Sequence, residues 1–215
     1  MTIMPKLPEK TIERLSQYRR ALLICLGKNK QYIFSHELAG MLHLTPVQVR
    51  RDIMLIGYSG TLRQGYEIRE MIALIGKIID SEEGLKVAVI GLGNLGRAMI
   101  SYFNGKRTKL SIVAAFDINQ EKVNRVYAGV PCYHIDMLSK IIRSENIPIA
   151  IMTVPGDEAA KVTESLVLAG IKGILNYTPT PVNVPANTYL QEYDMITSLE
   201  KIAYFVKQGN REEHI

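Results

Sequence analysis

From Glu9 to Leu26 the apolar residues Ile12, Leu15, Leu22, Leu23 and Leu26 recur at three- and four-residue spacing, with Arg14, Arg19 and Arg20 between them. That is the pattern of an amphipathic helix, which Gly27 ends. A short second helix is predicted over Ser35 to Leu42, with Ser35 as N-cap and Leu38, Ala39 and Leu42 as its apolar side. Thr45-Pro46-Val47-Gln48 marks a third start: a hydroxyl at the N-cap, proline where its missing N–H is harmless, and glutamine placed to close a capping box. That helix runs on through Val49, Arg50, Arg51, Asp52 and Ile53 to Ile56 and stops at Gly57. The turn from His43 to Thr45 makes the pair a helix-turn-helix. Gly60 to Ile68 predicts a two-stranded hairpin around Gln64-Gly65 with Arg63 near its tip, which completes a winged helix. Met71, Ile72, Leu74, Ile75, Ile78 and Ile79 then line a connecting helix expected to pack between two halves of the chain.

Beyond residue 84 the pattern changes to short β-branched runs alternating with helical stretches. Lys86-Val87-Ala88-Val89-Ile90 reads as a buried strand and leads into Gly91-Leu92-Gly93-Asn94-Leu95-Gly96, after which Arg97 to Phe103 reads as helix. Strand, glycines and helix in that order are what a dinucleotide site needs: Gly91 for a tight turn, Gly93 for close approach of backbone to the pyrophosphate, Gly96 for helix–sheet contact. The helix N-terminus offers unpaired N–H groups and the positive end of its dipole. Ser111 to Phe116 is a second strand, and it ends in Asp117, 21 residues beyond Gly96. A carboxylate there suits the ribose hydroxyls of NAD and repels a 2′-phosphate. Further strands are predicted at Ile147–Val154 and Gly173–Tyr177, with a helix over Asp157–Ala169 between them. The alternation is that of a doubly wound parallel sheet. Thr153-Val154-Pro155 and Asn176 fall at strand ends, where ligands bind on such sheets.

Composition narrows the class. The 215 residues are 47% hydrophobic and 22% charged, enough apolar content for a folded core. No apolar stretch approaches the length needed to span a bilayer, and the first ten residues lack the ordering of a secretory signal, so a cytoplasmic location is expected. The net charge of +5 is unevenly spread: residues 1–80 hold 12 Lys/Arg against 7 Asp/Glu, and the remainder is balanced at 14 against 14. A basic excess confined to the helix-turn-helix third points to double-stranded DNA. Thr45, Gln48, Arg50, Arg51 and the wing's Arg63 are the expected contacts, the last in a minor groove narrowed by A·T sequence. Cys25 and Cys132 sit among apolar neighbours, and no Cys/His spacing suggests a metal. Four histidines, none set against a plausible partner, supply no site for hydride-transfer catalysis, so none of the residues is expected to be catalytic.

The chain is therefore read as α/β: a winged-helix DNA-binding domain at 1–80 (helix-turn-helix about 17–56, wing about 60–68), followed by a Rossmann domain at 84–192. A C-terminal helix occupies 193–207, with Ile196, Leu199, Ile202, Ala203 and Val206 on one side, and a tail follows at 208–215. The last helix has to bury its apolar face, either on its own domain or on a second subunit.

These features together resemble the Rex family of bacterial redox-sensing transcriptional repressors. The resemblance runs from about Pro8 to Phe205. It is carried by Arg14-Leu15 with Tyr18, Glu37-Leu38-Ala39, Gln48-Val49-Arg50-Arg51-Asp52, Gly65-Tyr66, Gly91 to Gly96, Phe116-Asp117, Thr153-Val154-Pro155 and Ala169 to Asn176. It implies a homodimer that binds an inverted-repeat operator and releases it on binding NADH rather than NAD+, with the C-terminal helix exchanged between subunits. It also implies a redox-dependent polar contact among Arg20, Tyr102 and Asp194. Met195 departs from the family pattern, since an aromatic ring is expected there. An NAD-dependent dehydrogenase, and a coenzyme A or other nucleotide sensor on the same sheet, are the rival readings.

Overall fold

In the computed structural model the described residues are 7–61, 63–103 and 109–212. The chain divides into two compact units, residues 1–81 and 82–215.

The first unit opens with α1 (Glu9–Gly27). Leu15, Tyr18, Ala21, Leu22 and Cys25 form its buried stripe, whereas Leu23 and Ile24 point to solvent. The expected stripe was thus rotated by about one position, because the tyrosine ring and the cysteine act as inner residues. A two-residue strand, β1 (Tyr32–Ile33), leads directly into α2 (Ser35–Leu42). The N-cap is Phe34 rather than Ser35: its backbone N–H donates to Glu37 Oε2 at 2.9 Å, which is half of a capping box. Ser35 Oγ instead accepts from Arg50 Nη1 at 3.1 Å. His43 adopts a left-handed φ of 54° and turns the chain toward α3 (Pro46–Leu55). Thr45 Oγ1 accepts from the Gln48 N–H at 3.2 Å, as its cap position requires. Gln48 does not close the box, because its side-chain amide donates to Asp52 Oδ1 at 2.9 Å.

The wing is built differently from a free hairpin. Thr61 and Gly65 exchange backbone hydrogen bonds of 2.8 and 2.9 Å across a tight turn that holds Arg63. The strand that follows, β2 (Tyr66–Glu67), pairs antiparallel with β1, Ile33 opposite Tyr66. Gly65 has φ +77°, and a Cβ there would lie 2.5 Å from the Ile33 carbonyl oxygen, so only glycine lets the two strands meet. Glu67 then caps α4 (Ile68–Ile79) through the Arg69 and Glu70 N–H groups. Within this unit α4 packs on the core: Ile68, Met71 and Ile75 are fully buried with Leu15, Leu22, Leu38, Val49 and Ile53.

The second unit is a seven-stranded sheet ordered β5-β6-β4-β3-β7-β8-β9. Its strands are β3 (Leu85–Ile90), β4 (Leu110–Asp117), β5 (Val126–Tyr127), β6 (Val130–His134), β7 (Ile149–Met152), β8 (Gly173–Asn176) and β9 (Tyr189–Glu192). All pair in parallel except β5 with β6. The short strands β5, β6 and β9 were not anticipated from the pattern; β5 is only two residues long, β6 contains a proline and β9 is half polar, and each owes its extension to pairing with a neighbouring strand. Alternate residues of β3 serve opposite faces. Ala88 and Ile90 pack with Phe116, Ala150 and Met152 beneath α6 (Leu138–Ser144) and α7 (Ala159–Ala169), while Val87 and Val89 join Leu92 and Ile100 of the α5 (Asn94–Phe103) side. The strand order reverses between β4 and β7 on either side of β3, which opens a crevice at the carboxyl end of β3. The last helix, α8 (Met195–Glu212), leaves Ile196, Leu199, Ile202, Phe205 and Val206 about 60% exposed in the single chain. None of the helices among the described residues is long and apolar enough to cross a membrane.

Candidate functional site

The crevice is built on the turn after β3. Gly91, with φ +93°, turns the chain, and its N–H donates to the Phe116 carbonyl at 2.8 Å. A Cβ at Gly96 would be driven into the carbonyl oxygen of Gly91, so this glycine sets how closely α5 approaches the strand. At Gly93 a Cβ would meet nothing within 4 Å. Gly93 therefore serves no packing need of the fold; its bare backbone faces open space ahead of the α5 N-terminus. Asn94 begins α5 and accepts from Arg97 Nη2 at 2.9 Å, while Leu95 is half-buried beside it.

Asp117 ends β4 at 8% exposure. Its Oδ2 accepts from the Leu92 N–H at 2.8 Å and from Lys122 Nζ at 2.9 Å, and its Oδ1 accepts from the Asn119 N–H at 2.8 Å. Burial alone would raise its pKa; the hydrogen bonds from Asn119, Lys122 and Leu92 outweigh that, and the carboxyl lies below its ordinary value. Asp117 thus ties the glycine turn to the second strand. Lys122, which the sequence did not single out, compensates its charge. Beneath them the Cys132 thiol is pushed up to about 11 by burial and by the Asp117 charge, which keeps it a protonated core residue.

Three other predicted residues have mainly structural partners. Thr153 Oγ1 donates to the Gly91 carbonyl at 2.7 Å and so locks β7 to the glycine turn. Asn176 is 1% exposed and fixes the turn after β8, its amide donating to the Thr180 carbonyl and its oxygen accepting from the Thr178 N–H. Asp194 accepts from the Ile196 N–H at 2.8 Å and from Thr197 Oγ1 at 2.5 Å, the local capping of α8. Val154 and Pro155, by contrast, line the crevice itself. With Gly91, Asp117, Ile118 and Ile135 they bound a cavity of about 530 Å³. Tyr102 is exposed on α5, edge-to-face with Phe103.

In the first unit α3 presents one outward stripe of Val47, Arg50, Arg51, Met54 and Leu55. Arg51 makes no hydrogen bond or ion pair among the described residues, whereas Arg50 is linked to Ser35. Thr45 and Arg63 are exposed at the start of α3 and in the wing turn, and Arg20 is exposed on α1. What holds the stripe outward is a buried polar node that sequence reasoning missed. Asp52, 1% exposed, accepts from Arg14 Nε at 2.6 Å, Arg14 Nη2 at 2.8 Å, Tyr18 OH at 2.7 Å and Gln48 Nε2. Burial opposes its ionisation, but the bonds from Arg14, Tyr18 and Gln48 together hold the carboxyl below its ordinary value. A lone Asp on an otherwise basic helix was the available signal, since a carboxylate buried beneath a basic outer stripe needs an inward partner.

Residues 6–53 match the family described as "Putative DNA-binding protein N-terminus", and residues 82–180 match the CoA binding domain family. The chain is 38% identical over 203 residues to the redox-sensing transcriptional repressor Rex of Geobacillus kaustophilus (strain HTA426), covering 94% of this chain and 95% of that protein. It is 36% identical over 201 residues to the Rex repressor of Lactobacillus acidophilus, with 94% and 95% covered. Among solved structures it is similar to RSP, a Rex-family repressor, in complex with β-NAD+ and operator DNA: TM-score 0.88, 27% identity, 98% of this chain and 97% of that one. The complex of RSP with β-NADH superposes with TM-score 0.86 over 98% of this chain and 99% of that one. With a helix-turn-helix unit and a dinucleotide-type crevice in one polypeptide, and relatives of this identity matched over nearly their whole length, the chain belongs to the Rex family of redox-sensing transcriptional repressors.

Proposed function

We propose that this protein is a transcriptional repressor that binds an inverted-repeat operator as a homodimer and releases it on binding NADH, and that it performs no catalysis. The observation that carries the reading is the glycine turn. Gly93 is open where packing would tolerate a side chain, and Gly91 of the same turn lines a cavity that also carries a charged acceptor, Asp117. The residues present fit a dinucleotide: backbone N–H groups of Gly93, Asn94 and Leu95 for the pyrophosphate, Asp117 for the ribose hydroxyls, Val154 and Pro155 for the apolar walls, with Leu92, Gly96, Thr153 and Asn176 holding that cradle in shape. The CoA binding domain match leaves coenzyme A as the competing ligand.

On DNA, Arg51 and Arg50 would meet phosphates or bases, Thr45 and Gln48 would flank them, and Arg63 would enter the minor groove. Exposed apolar residues on α8 support dimerisation, because covering each is worth about 1.5–3 kcal/mol. Arg20, Tyr102 and Asp194 are proposed as the polar contact that differs between the two states of the dimer. A ligand shifts such an equilibrium only by its differential affinity, so a preference of about 100-fold for the released state, roughly 2.7 kcal/mol, is the scale required. Neutral dihydronicotinamide enters an apolar pocket more cheaply than the nicotinamidium cation, which loses hydration there.

The test is fluorescence anisotropy of an A·T-centred inverted-repeat duplex with the full-length protein, titrated separately with NADH, NAD+ and coenzyme A at fixed salt. Release by NADH at concentrations where NAD+ does little supports the reading. Release by coenzyme A alone hands the crevice to that ligand, and turnover of NADH with a small carbonyl compound would make the protein a dehydrogenase.

A further inference from the structure

The outward stripe of α3 is only partly explained by charge. Arg50 and Arg51 occupy its middle, yet Val47 is 64% exposed, Met54 72% and Leu55 48%. Packing does not ask for apolar residues there: the inner face of the same helix is already filled by Val49 and Ile53, both at 0% exposure. An anionic partner is implied by the two guanidinium groups, but a phosphate has no use for a valine. In B-form DNA the apolar group that the major groove displays among its donors and acceptors is the thymine C5-methyl. Val47 is also the second residue of α3, immediately after the Thr45 cap and Pro46, and the N-terminal residues of a recognition helix are those that reach base edges. Met54 lies about 10 Å further along the axis, toward the end that leaves the groove. A-form RNA is a poor fit, since its major groove is too narrow for side-chain reading and uracil lacks the methyl.

We infer that Val47 is a specificity residue that reads a thymine C5-methyl group, one in each half-site, with Arg50 and Arg51 seated around it. The inference rests on the DNA-binding reading given above and extends it to a named base. The Asp52 node makes the position rigid: by gripping Asp52 from α1 and Gln48 from within α3, it fixes the rotation of the helix that presents Val47.

The experiment uses the full-length protein and a duplex enriched from a random pool by repeated rounds of binding to it. Each thymine of the enriched half-site is replaced in turn, symmetrically, by deoxyuridine, which removes only the methyl. At one position wild-type affinity should fall about fourfold per half-site, about 15-fold for the pair, the scale of losing one buried methyl. Val47→Ala should bind the unmodified duplex with a similar loss and be indifferent to the methyl at that position. Its thermal midpoint should equal that of the wild type, since the side chain is exposed. Arg51→Ala should keep the methyl sensitivity while its salt slope falls by about two, one per half-site. If Val47→Ala stays as methyl-sensitive as the wild type, another side chain reads the group and the inference is overturned. Indifference of the wild type to every substitution overturns it equally, placing Val47 against sugar. If no duplex is enriched at all, the DNA-binding reading itself has failed.

Discussion

The three glycines of the β3–α5 turn are chemically identical and should fail in different ways. At Gly91, φ is +93° and a Cβ would sit 2.8 Å from the Thr153 carbonyl oxygen; at Gly96 the Cβ would collide with the Gly91 carbonyl. Both are backbone contacts that no rotamer relieves, so alanine at Gly96 requires α5 to move off the sheet. Overpacking of that kind costs about 2–3 kcal/mol, which in a domain of this size lowers the thermal midpoint by about 5–10 °C. Gly93 has open space and an ordinary φ. Gly93→Ala should leave the ligand-free midpoint unchanged or slightly raised, because alanine restricts the unfolded chain. Its effect should surface only with dinucleotide. A ligand at 100 times its Kd stabilises the folded state by about 2.7 kcal/mol, again a rise of about 5–10 °C, and Gly93→Ala should lose most of that rise. Differential scanning fluorimetry with and without NADH reads both quantities. The reasoning is refuted if Gly93→Ala lowers the ligand-free midpoint as much as Gly96→Ala does, or if it retains the full rise with NADH.

Arg51→Ala removes a charge that has no partner among the described residues, so thermal stability should be unchanged while DNA affinity falls and the slope of log K against log salt decreases by about two, one per subunit; an unchanged slope would remove it from the phosphate contacts. Asp52→Ala strands a half-buried guanidinium and a buried tyrosine hydroxyl and should destabilise the first unit by about 3 kcal/mol, measured by urea unfolding. The Asp52 carboxyl lies below its ordinary value of 3.8, so its stabilisation is present above that pH and fades as pH falls through the depressed folded value; Asp52→Asn should flatten this part of the acid-unfolding curve. Asp117→Ala leaves the Leu92 and Asn119 N–H groups without their acceptor and should cost about 2 kcal/mol of stability as well as weakening NADH binding in isothermal titration.

Much of this protein was legible as pattern. Helical spacing located α1, α2, α3 and α4, and the order strand, glycines, helix marks the crevice in the sequence, because a tight turn, a close backbone approach and a helix–sheet contact each exclude a side chain. The local signals failed where a neighbour distant in sequence offered a better partner. Gln48 has the spacing to close a capping box, but a buried carboxylate one turn ahead is a stronger acceptor than its role at the cap. Ser35 looks like an N-cap, but the chain arrives at α2 from a strand paired with Tyr66 and Glu67 of the wing. Thr153 and Asn176 stand at strand ends, and there the turns they stabilise take up their polar atoms.

Periodicity, charge distribution and glycine spacing are properties of residues near one another along the chain, so the sequence by itself determined the main helices and the inner strands of the sheet, the division of labour between a basic unit and a doubly wound sheet, and the kind of ligand each suits. The Asp52 node, the clamp of Lys122 and Leu92 on Asp117, and the pairing of β1 with β2 join segments up to 38 residues apart. Only the tertiary structure decided those, because a buried polar group takes whichever partner the packed core brings within hydrogen-bonding distance, and spacing along the chain does not encode that distance.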